Sequence, residues 1–148
     1  MSSFKLRKQI IAYAHRLDAK GFVANHDGNV SARVGDSGDD RFLATPTARA
    51  KFDLKEDDLI VVDATGKTRS GDAKIFGEWS LHAEIYKARP DVEAVVHAHS
   101  PHASALGLGG QSLPIDFWPE AVVSLGLAAP CVAQGDIGGA ARRASAAL

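Results

Sequence analysis

The stretch from Glu78 to Leu106 restricts the fold more than any other part of the chain. Leu81, Ile85 and Ala88 recur at helical spacing between Glu78 and Arg89, and Pro90 just beyond stops the helix. Val92-Glu93-Ala94-Val95-Val96-His97-Ala98-His99 follows directly and reads as a strand, rich in the β-branched residues that suit a pleated, half-buried surface. Ser100-Pro101 then reads as the cap and first turn of a further helix through Leu106. A helix, a strand and a helix joined this tightly imply helices packed on a sheet.

The remaining segments supply that sheet and one more helix. From Phe4 to Leu17 the apolar residues Phe4, Leu6, Ile10, Ile11 and Leu17 form a stripe backed by Lys5, Arg7, Lys8, His15 and Arg16, with Gly21 as the stop. After the polar turn Asn25-His26-Asp27-Gly28-Asn29 come a strand over Val30–Val34, a hairpin-type loop over 35–40, and a partner strand from Arg41 to Thr45 that Pro46 ends. Leu59-Ile60-Val61-Val62 is the next strand, and Thr65-Gly66-Lys67 turns it back. Leu113 to Pro119 reads as an irregular connection and Glu120 to Leu127 as a short helix. In Gly135–Leu148 the only large apolar side chains are Ile137 and Leu148, so this stretch can bury little.

At 148 residues a single domain, 1–148, is expected, and 45% hydrophobic against 24% charged residues is the composition of a chain with a real core. Seventeen Lys and Arg against 18 Asp and Glu, with a pI near 6.6, give no global field for nucleic acid or an anionic membrane. The single Cys131 cannot close an internal disulfide, and the opening residues lack the apolar run of a signal peptide. With no stretch near the roughly 20 apolar residues of a membrane span, a cytoplasmic protein is expected.

His97 and His99 carry the sharpest chemical signal. In a strand the side-chain period of two sends both imidazoles to one face, a spacing that suits a metal chelate. The alternative is two ordinary histidines at a strand's end. Glu78, after Gly77 at a helix start, is either a first-turn acid favoured by the helix dipole or the third member of a His₂Glu set, a known catalytic-zinc combination. His82, one turn along, and His102 read as surface or supporting residues. A metallo-β-lactamase site is excluded because its His-x-His-x-Asp-His pattern meets Pro101 where the aspartate belongs.

Gly28-Asn29-Val30-Ser31, Phe42-Leu43-Ala44-Thr45-Pro46-Thr47, Asp58–Asp63 with Gly66-Lys67, Gly77–His82 and Ala94–Pro101 together resemble the class II aldolase/adducin family, in its order and spacing, from about Leu6 to Pro130. The resemblance implies a three-layer α/β/α fold with a central, mostly antiparallel sheet. It implies a metal-dependent lyase of the L-fuculose-1-phosphate aldolase type, cleaving a carbon–carbon bond in a small hydroxy-carbonyl or sugar-derived substrate through a metal-stabilised enediolate. The cation would be zinc first, with manganese or cobalt as alternatives. By the same resemblance His97 and His99 match metal ligands, and Glu78 matches the glutamate that binds metal or acts as acid and base. Gly28 and Asn29 match a substrate-binding loop, Thr45 matches a phosphate-pocket threonine, and a homotetramer with sites between subunits is expected.

Three departures accompany the match. Phe76-Gly77 stands where the phosphosugar aldolases have two serines, and Ala48 replaces a pocket glycine, with Arg49 and Lys51 nearby either to replace the lost donors or simply to be solvated. No tyrosine occupies Ile115–Glu120 to serve as a proton donor. The family's third metal histidine falls past the position of Leu148, so a domain lacking the family's C-terminal part is expected. An adducin-like binding or assembly module, or a related epimerase or decarboxylase, is the competing expectation.

Overall fold

The computed structural model describes residues 3–34, 40–114, 119–125 and 128–129. Helix α1 (Ser3–Ala19) precedes strands β1 (Asn29–Val34), β2 (Arg41–Ala44), β3 (Ile60–Asp63) and β4 (Thr68–Ser70). Helix α2 (Trp79–Ala88) leads into β5 (Ala94–His97), followed by α3 (Pro101–Leu108), β6 (Leu113–Pro114), α4 (Pro119–Leu125) and β7 (Ala128–Ala129). The first five strands form one sheet in the order β4-β3-β2-β1-β5 with every neighbour antiparallel. Strand β5 arrives after α2 and pairs on the outer side of β1, with Asn29 opposite His97 and Ser31 opposite Val95.

The two-residue period of the strands sorts their side chains between two cores. Val30, Ala32 and Leu43 pack with Leu6, Ile10 and Ala14 of α1 and with Leu54 and Leu59. Phe42, Ala44, Ile60 and Val62 turn the other way, onto Phe76 and onto Trp79 and Tyr86 of α2. A helix therefore covers each face, and the α/β/α layering with an antiparallel sheet is what the chain adopts. Helix α1 ends as expected: Gly21 sits at φ +68°, and Phe22 N–H closes onto Leu17 O at 2.9 Å.

Four segments differ from the sequence reading. The strand expected over 92–99 is shorter, Ala94–His97, because His99 N–H leaves the sheet and donates to Phe22 O at 2.9 Å. Strand β4 was not anticipated. Part of the irregular connection at Leu113–Pro114 pairs with Ala128–Ala129, and the helix expected over 120–127 begins at Pro119 and is described through Leu125, residues 126–127 lying outside the described residues. The loop 35–39, Cys131 and the segment 135–148 lie outside the described residues. No helix among the described residues is long and apolar enough to cross a membrane.

Candidate functional site

The site forms where the end of β5 meets the start of β1. The loop carrying Gly28 passes so close to the β5 end that a Cβ there would lie 2.4 Å from Val23 Cγ1 and 2.9 Å from His97 O, and the backbone has φ +68°. Glycine satisfies both demands at once. Beyond the strand, the His99–Phe22 backbone bond folds the chain back, and His97 Nε2 and His99 Nε2 come to 2.8 Å. The two rings do meet, but not by sharing a strand face: His99 lies past the last strand residue.

Glu78 occupies the N-cap position of α2, yet its side chain makes no capping hydrogen bond. Asn29 Nδ2 instead donates to Glu78 Oε2 at 3.3 Å, tying the first residue of β1 to the first turn of α2. Glu78 and His99 share a cleft with His26, Asp27, Gly28 and Asn29 on one wall and Pro46, Thr47 and Ala48 on another. The cleft thus joins four of the sequence-derived candidates, Gly28, Asn29, Glu78 and His99, with His97 bonded to the last. Thr45 is set apart from them. It is fully buried, its hydroxyl accepting from Val30 N–H at 3.1 Å, which fastens β2 to β1.

Three cleft residues escaped the sequence reading: His26, Asp27 and Thr47. The polar turn from Asn25 to Asn29 was the available signal. Asp27 Oδ2 lies 3.9 Å from His99 Nδ1, on the side of the ring away from His97. Neither nearby cation lines the cleft. Lys51 is buried, its Nζ donating to His26 O at 3.3 Å and Arg49 O at 3.0 Å, and burial lowers its pKa against the pull of Asp27 and Glu78. Arg49 reaches Asp58 instead, at 3.8 Å. Ala48 holds φ +55°, a left-handed conformation uncommon for a residue with a Cβ, at the cleft wall. Phe76 lines the cleft but is mostly packed against Trp79 and His82. His102 is exposed on α3, whereas His82 is fully buried.

The donor chemistry of the histidine pair fits a divalent cation. Two nitrogens bound to one tetrahedral zinc at about 2.0–2.1 Å stand about 3.3 Å apart, so the 2.8 Å pair needs only a slight spread to share an ion. Burial, then the neighbouring His99, lowers the His97 pKa, against the raising influence of Glu78 and Asp27. The neutral ring so favoured is the form with a lone pair to donate. The fit covers two ligands only. Among the described residues no group of three or more His, Cys, Asp or Glu is arranged to hold a metal, so Glu78 does not complete a ready-made three-ligand cage.

Comparison with known proteins identifies this architecture. The family described as "Class II Aldolase and Adducin N-terminal domain" matches residues 8–148. The chain is 35% identical over 113 residues to a 5-methylthioribulose-1-phosphate/5-deoxyribulose-1-phosphate aldolase of Rhodospirillum rubrum, covering 76% of this chain and 49% of that protein. To the L-fuculose phosphate aldolase of Escherichia coli it is 34% identical over 114 residues, 77% and 51% of the two chains. The crystal structure of YgbL from Klebsiella pneumoniae superimposes with a TM-score of 0.81 at 27% identity, over 98% of this chain and 72% of that one. The chain spans about half the length of these curated relatives. On the breadth of the match and the agreement in fold, the chain belongs to the class II aldolase and adducin family.

Proposed function

We propose that the cleft is the site of a metal-dependent lyase acting on a small hydroxy-carbonyl compound, with ketose 1-phosphates of the kind named for the relatives as the first substrates to try. The observation that carries this reading is the convergence of His97 and His99 beside a Glu78 whose carboxylate is held by Asn29 rather than used as a helix cap. His97 Nε2 and His99 Nε2 would hold the cation, zinc first and manganese or cobalt next. When bound it would polarise a substrate carbonyl and stabilise negative charge developing next to it.

The chain's own residues supply the rest. In a retro-aldol cleavage a base takes the proton of the hydroxyl β to the carbonyl, and the Cα–Cβ bond breaks. The electron pair left on the carbonyl fragment is quenched by a proton. Glu78, held by the neutral donor Asn29 Nδ2, would take and return that proton. Asn29 orients it, and Gly28 lets the backbone lie against the substrate. Replacing Glu78 by Gln keeps shape and the Asn29 contact but removes the proton carrier. Turnover of L-fuculose 1-phosphate or 5-deoxyribulose 1-phosphate should fall by about 10² to 10⁴ with metal content retained. Normal turnover by that variant rules Glu78 out as acid and base. Metal content near one equivalent per chain, lost in His97→Ala, checks the ligand assignment.

A second reading, a non-catalytic binding module of the adducin kind, is favoured by the incomplete ligand set among the described residues. Absence of metal from protein prepared without chelator would support it. The proposal extends to a homo-oligomer, a tetramer by family resemblance, because no residue of α3 is buried and Leu108 is 87% exposed. Light scattering at micromolar concentration tests this, and a 15.6 kDa monomer contradicts it.

A further inference from the structure

The contacts between β1 and α2 form a polar ladder. Asn29, Ser31 and Arg33 share one face of β1 at steps of about 6.6 Å, and Glu78, His82 and Tyr86 recur along α2 at steps of about 6.0 Å. Because the two steps nearly match, rungs form. Asn29 Nδ2 donates to Glu78 Oε2 at 3.3 Å, Ser31 Oγ lies 2.7 Å from both His82 Nδ1 and Tyr86 Oη, and Arg33 Nη2 donates to Tyr86 O at 2.7 Å. Two buried side-chain atoms of this seam lack a partner, Asn29 Oδ1 and His82 Nε2, in residues 3% and 0% exposed. They belong to adjacent rungs, and both residues neighbour His97. Asn29 is its partner across the sheet, and His97 acts electrostatically on the His82 ring.

A proton count gives the seam a direction. Tyr86, Ser31 and a neutral His82 carry three protons for two hydrogen bonds, so one proton is left at one end of the row. The unpartnered acceptor nearest in the ladder is Asn29 Oδ1, on the rung next to His82, so the surplus proton goes to the His82 end and Tyr86 donates to Ser31 Oγ. The serine proton goes to His82 Nδ1, and His82 keeps its proton on Nε2. That leaves the surplus donor one rung from the surplus acceptor, Asn29 Oδ1.

We propose that a buried water joins His82 Nε2–H to Asn29 Oδ1, making Tyr86, Ser31 and His82 a positioning relay for the Asn29 amide and, through it, for Glu78. Such a water has the two polar partners it needs. Its value appears during turnover. While Glu78 is ionised, the carboxylate alone requires the NH₂ side of Asn29. Once Glu78 has taken a proton, either side of the amide satisfies it, and the donor on the His82 side keeps the amide from turning over. This consequence rests on the reading of Glu78 as proton carrier; the hydrogen-bond direction and the water do not.

The test uses the full chain. Long-range proton–nitrogen NMR of histidine-labelled protein near pH 7.5 should show His82 as the Nε2–H tautomer, with Ser31→Ala shifting it toward a mixture. A crystal structure at high resolution should show an ordered oxygen between the two atoms. The Nδ1–H tautomer in the unmodified protein, or no such oxygen, overturns the proposal whether or not the protein is an aldolase. In kinetics, His82→Phe keeps an aromatic ring against Phe76 and Trp79 but removes both nitrogens. It should lower kcat about tenfold with KM little changed, and His82→Gln, which restores a donor near Nε2, should recover most of that loss. Unchanged kcat in folded His82→Phe overturns the positioning role. No turnover by the unmodified protein on any ketose 1-phosphate would count against the lyase reading alone, since the tautomer and the water are still measured.

Discussion

The two faces of β1 are built on opposite terms. Toward α1 the strand presents Val30 and Ala32, which join Leu6, Ile10 and Ala14 in an apolar core. Toward α2 the same six-residue strand presents Asn29, Ser31 and Arg33, each hydrogen-bonded to α2. The apolar face is stabilised by area removed from water, which is non-directional and tolerant of detail. The polar face stabilises little in net terms, because each bond replaces one with water, but leaving any member unpaired costs about 1–3 kcal/mol. One face therefore holds the fold together, and the other fixes where Glu78 stands.

Breaking the apolar face should give the largest loss. Leu43, fully buried on the α1 side of β2, makes only packing contacts, so Leu43→Ala should lower unfolding free energy by about 2–5 kcal/mol. Urea denaturation measures this. The histidine pair should be untouched, so metal content per folded chain should stay constant, and its loss would show that the two faces are not separable.

Acid should find the polar face first. His82 is pushed down to about pKa 3, by burial first and by His97 second, while an unfolded histidine titrates near 6.5. Between those values the unfolded chain binds a proton that the folded chain does not, so stability falls as pH falls. The contribution is intact above pH 6.5 and drains by about 1.4 kcal/mol per unit toward pH 3. Going from pH 6.5 to 5 should therefore cost about 2 kcal/mol from this residue. His82→Gln should show a correspondingly shallower acid dependence in urea melts at stepped pH; parallel curves would mean that His82 titrates alike in the folded and unfolded chains.

How much of this was legible from the residues follows the same division. Apolar periodicity set out α1, α2 and the hairpins, because burial acts on patterns that repeat every 3.6 or 2 residues. The polar seam was hidden, since Ser31, His82 and Tyr86 lie 51 and 55 residues apart and only a strand step matched to a helix turn brings them together. His82 in particular reads as a surface or supporting residue until its complete burial is seen. Thr45 is the reverse case, a hydroxyl that looks available in sequence but is spent on the Val30 backbone. His97 and His99 were found, although the reason given, a common strand face, is replaced by a backbone bond from His99 to Phe22 that no periodicity predicts.

The hinge between the faces is Gly28, just before β1 begins. Gly28→Ala adds a Cβ that meets Val23 Cγ1 at 2.4 Å and His97 O at 2.9 Å, on a backbone already at φ +68°. Side chain and strand end must both give way, at about 1–3 kcal/mol for overpacking of this kind. Because one of the two obstacles is the His97 carbonyl, metal binding should weaken along with stability, which distinguishes this variant from Leu43→Ala. Full metal affinity in a destabilised Gly28→Ala protein would show that the loop and the strand end move independently.

Tyr86→Phe is the smallest perturbation and the sharpest comparison between the faces. The ring keeps its stacking on Phe42 at 4.5 Å and its place under the Arg33 guanidinium at 4.8 Å, so the packing that Tyr86 shares with the core survives. Only the hydroxyl is lost. Ser31 retains His82 as a partner, so no buried group is stranded outright, and the expected cost is about 0.5–1.5 kcal/mol, that of one ordinary hydrogen bond. Removing two methyl-sized groups from the opposite face, as in Val30→Ala, should cost more than this by leaving a void in the cluster of Leu6, Ile10 and Leu43. The order should reverse in the site. With its donor gone, Ser31 no longer has a fixed direction, and the His82 tautomer should become mixed in Tyr86→Phe while staying single in Val30→Ala. A tautomer unmoved by loss of the hydroxyl would show that His82 takes its direction from Ser31 alone, and that the polar face ends one rung earlier than Tyr86.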